Sequence, residues 1–60
     1  MDVRFVFPDN SYYDVVLPAV PPDSDRVALH GNTYDVLHAT WDVENGKLVR
    51  VRVPIKLRQR

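Results

Sequence analysis

The chain has sixty residues, no cysteine, 45% hydrophobic residues and a formal net charge of zero. That length holds one domain, which buries only about 60% of the surface its unfolded chain exposes. Disulfide staples and thiolate metal centres are excluded, and no apolar run approaches the length needed to cross a bilayer.

The neutral total conceals a division. All eight acids lie within residues 1–46, where only Arg4 and Arg26 oppose them, leaving −6. Residues 47–60 carry Lys47, Arg50, Arg52, Lys56, Arg58 and Arg60 with no acid, giving +6. Helical periodicity is absent. β-branched and aromatic residues alternate with polar ones, and turn clusters recur about every ten residues, as in small sandwiches and barrels.

A first strand is expected over Asp2–Phe7, with Val3, Phe5 and Phe7 on one face. Pro8-Asp9-Asn10 reads as a three-residue hairpin loop, with Asn10 able to take the left-handed conformation. Pairing Phe7 with Ser11 sets Phe5 opposite Tyr13 and Val3 opposite Val15. The second strand then runs over Ser11–Leu17, with Tyr12 outward. Pro18–Arg26 holds three prolines and reads as an extended crossover.

The third strand is expected over Arg26–His30, closed by a type II′ turn at Gly31-Asn32. That register pairs His30 with Thr33, Leu29 with Tyr34 and Val27 with Val36. A fourth strand follows over Thr33–Val43. At Glu44-Asn45-Gly46 two closures compete. The three-residue loop opposes Trp41 to Val49, Ala39 to Val51 and Leu37 to Val53, which sorts apolar from polar, and it is preferred on that ground. Tyr34 and Val36 then point inward from one hairpin and Ala39 and Trp41 from the other. This change of parity predicts a β-bulge near Leu37-His38. The last strand, Lys47–Leu57, places Val49, Val51, Val53, Ile55 and Leu57 on one face and Arg50, Arg52, Lys56 and Arg58 on the other. Pro54 within it argues for an edge position or a bend. The expected fold is all-β: about five antiparallel strands in a small, partly open SH3-like barrel or curled meander, with a bulge in strand four.

The basic stripe is the main candidate surface. Side chains at every second residue project about 7 Å apart, and arginine suits bidentate phosphate contact. Trp41, Tyr34 and Tyr13 could stack bases, although aromatic residues of small domains more often fill the core. Two readings explain the stripe without a ligand: charges that guard a sheet edge, and cross-strand pairing with acids such as Asp35 and Asp42. His30 is placed at a hairpin corner and His38 on the outer face near the bulge, and neither has the spacing of a metal site. Asp23-Ser24-Asp25 reads as turn chemistry rather than an acid–base pair. Ser11 and Ser24 lie in turns without a glycine elbow. No constellation supports catalysis, and no metal or cofactor is expected.

The run Asp25-Arg26-Val27-Ala28-Leu29-His30-Gly31-Asn32-Thr33-Tyr34-Asp35-Val36, followed by Trp41 and preceded by the Phe7-Pro8-Asp9 hairpin and the proline-rich connector, resembles a pattern in short uncharacterised all-β proteins of phages and other mobile elements. The resemblance spans most of the chain and carries no known site. It implies a binding or accessory role in a host cell. The expectation is therefore a non-catalytic protein-binding module, a phage accessory or host-protein-binding factor that acts through an exposed strand edge. Its partner would be another protein or a second copy of itself, with no membrane involvement. The alternative is a nucleic-acid-binding barrel that uses the basic face. Arg50, Arg52, Lys56, Arg58, His38 and Tyr12 are the candidate contact residues. Met1-Asp2-Val3-Arg4 lacks the regions of a signal peptide, so the expected location is the cytoplasm, that of the host if the gene is phage-borne.

Overall fold

The structure, a computed structural model, describes residues 1–58. Those residues form six strands and no helix: β1 (Asp2–Val6), β2 (Tyr12–Val16), β3 (Arg26–Leu29), β4 (Asn32–Val36), β5 (Thr40–Glu44) and β6 (Lys47–Leu57). The sheet runs β2-β1-β6-β4-β3, and β5 also pairs with β6. The result is a curled all-β sheet in the manner of a small, partly open barrel or curled meander. Its extents are 42 × 21 × 18 Å.

β6 organises everything else. Its residues 47–52 pair antiparallel with β5, and Ile55–Leu57 pair antiparallel with β4. Its other edge takes β1 in parallel, Val3 beside Val51 and Phe5 beside Val53. The alternation expected for this strand therefore closes a core from three sides: Val3, Phe5, Val36, Val51, Val53 and Ile55 are buried. Phe7, Val15, Leu17, Val20, Val27, Leu29, Tyr34 and Ala39 pack around them. Pro54 sits inside this central strand, not at an edge. Its carbonyl accepts from the Leu37 amide at 2.9 Å. Its nitrogen faces the same side, where β4 has ended and β5 has not begun, so no ladder donor is required there.

The first hairpin has the expected register: Phe5 opposes Tyr13 and Val3 opposes Val15. Asn10 is left-handed with φ 71°, and the Phe7 amide donates to the Ser11 carbonyl at 2.8 Å. The expected fourth strand is broken at Leu37–Ala39 into β4 and β5. Three residues there span two on β6, between the Val36–Ile55 and Thr40–Arg52 pairs. That is the parity change expected at Leu37-His38.

Two turns differ from expectation. The β3–β4 loop is His30-Gly31, with φ 52° and 82°, rather than Gly31-Asn32. Leu29 thus opposes Asn32 and Val27 opposes Tyr34. The register slips by two residues, so every side chain keeps its face. The β5–β6 loop is the two-residue Asn45-Gly46, with φ 51° and 73°, not the three-residue loop. Glu44 pairs with Lys47 and Val43 with Leu48. The ladder then shifts, so that Asp42 meets Arg50, Trp41 meets Val51 and Thr40 meets Arg52. Val49 is the extra residue, and this bulge restores an apolar match on that face, with Trp41 opposite Val51 rather than Val49.

Both central residues of that turn have positive φ, as a type I′ hairpin requires. A Cβ added at Gly46 would meet nothing within 4 Å. Gly46→Ala is therefore a purely conformational change, expected to cost about 1–2 kcal/mol. Chemical denaturation would read this as a lower midpoint at unchanged slope.

Candidate functional site

The outer face of β2, β1, β6 and β5 carries the charged groups. Side chains alternate across a strand, so Arg4, Asp14, Arg50, Arg52 and Asp42 share that face while Val3, Val15 and Val51 turn inward. The parallel register puts Arg4 directly beside Arg52, a like-charge pair that would repel if left alone. Each guanidinium has its own carboxylate on the far side. Arg4 donates through Nε and Nη2 to Asp14 at 2.8 and 3.0 Å. Arg52 donates through Nε and Nη2 to Asp42 at 2.8 and 3.1 Å. Arg50 lies 3.9 Å from the same Asp42 carboxylate. Just past the end of β6, Arg58 reaches Asp35 at 3.2 Å. The Arg4 guanidinium also lies 3.9 Å from the centroid of the Tyr12 ring, a cation–π contact on the exposed side of β2.

Three of the four members of the basic stripe, Arg50, Arg52 and Arg58, are thus held by acids from β5 and β4. Among the described residues, no carboxylate lies within 4 Å of the Lys56 ammonium. Bidentate Arg–carboxylate forks use the same donors that a phosphate would need, so a nucleic-acid strand would have to displace Asp42 before it reached Arg52. Of the two ligand-free readings of the stripe, the cross-strand one with Asp35 and Asp42 matches this geometry.

His38 lies beyond the stripe, in the segment between β4 and β5. Its Nδ1 is 2.9 Å from Asp23 Oδ2, and its ring is almost fully exposed. Asp23 belongs to the turn Pro22–Asp25. There the Asp25 amide donates to the Pro22 carbonyl at 3.1 Å, with Ser24 at φ 71°. The turn is stitched to β4 by Ser24 N to Val36 O at 2.9 Å and Val36 N to Asp25 O at 2.8 Å. Backbone bonds hold this turn, and the Asp23 carboxylate is turned to His38. His30 occupies its hairpin corner with its ring edge-on to Tyr13, centroids 5.3 Å apart. Among the described residues, no group of three or more His, Asp or Glu side chains is placed to hold a metal ion.

Trp41 departs from the expectation of a core residue. It is 53% exposed, and its neighbours Val43 and Leu48 are 60% and 41% exposed. The cause lies in strand lengths and in the edge position of β5. The first ladder pair between β1 and β6 is Val3–Val51, so Val43 and Leu48 lie past the point where β1 can help cover them, while Trp41, level with Val51, has no strand beyond it. The core-facing residues of the other two edge strands fare better: Val15 on β2, and Val27 and Leu29 on β3, are half-buried against the core, and Tyr13 on β2 is 41% exposed. The alternation of residues along the chain does not announce this apolar surface. The signal that could have shown it was the surplus of residues in the Trp41–Val49 hairpin over those available to face them.

Asp14 and Asp9 are held below the usual carboxylate range. Arg4 does this for Asp14, first by hydrogen bonding and then by charge, with Arg50 adding to the charge. Ser11 does it for Asp9, through its hydroxyl and its amide. Their contribution to stability is therefore full above the ordinary carboxylate range near pH 4 and is lost as the pH falls through the lower folded values. Acid titration of the melting temperature should show a decline below about pH 4 that is shallower in Asp14→Asn. An identical acid profile for the variant would show that the Arg4 fork contributes nothing.

No family model, curated protein or solved structure matches this chain. No helix among the described residues is long and apolar enough to cross a membrane.

Proposed function

We propose that the chain is a non-catalytic protein-binding module that acts through an exposed strand edge. In the setting suggested by the mobile-element resemblance, it would be an accessory or host-protein-binding factor in the cytoplasm. One observation carries this reading: the apolar side of the edge strand β5 is uncovered at Trp41 and Val43, whereas the arginines opposite are already engaged by carboxylates. An edge with open backbone groups and an apolar flank is what strand addition uses. Closed charge forks leave little for phosphate to bind.

The test combines two measurements. Single- and double-stranded oligonucleotides are titrated at low salt, where no binding is expected. A photo-crosslinking phenylalanine derivative is then placed at Val43 and, separately, at Val16 on the outer face of β2. In extract of the cells that carry the gene, discrete protein adducts are expected from position 43 and not from position 16. Tight, salt-sensitive oligonucleotide binding, or equal adducts from both positions, would overturn the reading.

A further inference from the structure

We infer that the β5 edge pairs with the β5 edge of a second copy of this chain, antiparallel about a two-fold axis through Trp41. The inference rests on the strand-edge reading above and names its partner. β5 is hydrogen-bonded on one side only. It is also the one of the three edge strands whose core-facing side chains, Trp41 and Val43, stand mostly in water.

Strand length and charge select the register: a pairing centred on Thr40 would match most of β5 to residues 36–39, which lie outside it, and one centred on Glu44 sets two carboxylates against each other. A two-fold axis perpendicular to the sheet keeps each face continuous, so a residue can oppose only residues of its own parity. Centred on Asp42, the pairing sets two carboxylates against each other. Centred on Val43, it sets Asp42 against Glu44. Like charges directly opposite are destabilising. Centred on Trp41, it sets Thr40 against Asp42, twice, with no like charges opposed. A hydroxyl can then donate to a carboxylate on the outer face. On the inner face the two indoles meet at the axis, and each Val43 lies beside the second copy's Ala39. The outer face also stays ordered: Asp42 would stand between Arg50 and Arg52 of its own chain and a neutral threonine of the other.

Trp41 is the sole tryptophan of the chain, so self-pairing has a built-in reporter. Sedimentation over about 1 µM to about 1 mM should show the mass doubling, with the indole emission moving to the blue over the same range. Trp41→Lys and Trp41→Glu each place like charges across the axis and should remain monomeric at every concentration. Their equimolar mixture should regain the doubled mass as a heterodimer. Circular dichroism checks that both variants fold, which the exposure of Trp41 leads us to expect.

A wild-type chain that stays monomeric throughout overturns the self-pairing while leaving the edge to a foreign strand, which the crosslinking at Val43 examines separately. A dimer that survives both single substitutions overturns β5 as its edge. A mixture that fails to reassociate overturns the Trp41-centred register.

Discussion

Phe5→Ala is expected to unfold the domain near room temperature or to bring it close to unfolding. Phe5 is 3% exposed and sits on β1 between β2 and β6, opposite Tyr13 on one side and beside Val53 on the other. Truncating a buried phenylalanine costs about 3–5 kcal/mol, and a chain this short holds only a few kcal/mol in total. In a domain of this size the melting midpoint should fall by more than about 12 °C. Val16→Ala is the control. Its side chain is on the outer face and 74% exposed, so the change should stay within about 0.5 kcal/mol. Comparable melting of Phe5→Ala and the wild type would mean that the β1–β6 seam is not the structural centre.

The second large effect concerns Asp42, the carboxylate shared by Arg50 and Arg52. Asp42→Ala leaves Arg50 and Arg52 without their acid, with Arg52 directly beside Arg4. The expected loss is about 1–2 kcal/mol, larger than for an isolated surface pair because repulsion is exposed as well as attraction removed. Added salt should restore part of the lost melting temperature by screening the arginines. The variant should also gain weak, steeply salt-dependent binding to nucleic acid that the wild type lacks. Melting that is unchanged, or that falls further with salt, would show that Asp42 does not organise this face.

Much of this arrangement was legible in the sequence because it is local. Pro8-Asp9-Asn10 determines one hairpin register, and the valine–arginine alternation from Val49 to Arg52 marks β6 to the residue. Cross-strand acids at Asp35 and Asp42 could be named from position alone, and so could the irregularity at Leu37-His38. What escaped was non-local or hung on a single backbone angle. The parallel pairing of β1 with β6 joins segments nearly fifty residues apart, with no turn between them to announce it. His30 takes a left-handed conformation that glycine or asparagine would have advertised. A bulge-free Asn45-Gly46 turn misaligns Trp41, and the Val49 bulge that repairs this leaves no mark in composition. Tryptophan is ordinarily read as core, and only the place of β5 at the sheet edge leaves Trp41 outside.

The central place of β6 also bears on the order in which the molecule can be made. A ribosome delivers the β1–β2 and β3–β4 hairpins first, and each has a workable turn of its own. Neither has anything to bury its apolar face against until Val51, Val53 and Ile55 have emerged from the exit tunnel. An isolated two-stranded hairpin is marginal in water, and closing a loop of this span is slow compared with forming the turns. Until β6 is out, the nascent chain holds only tethered, marginal hairpins. It becomes a folded body when β6 threads between β1 on one side and β4 and β5 on the other.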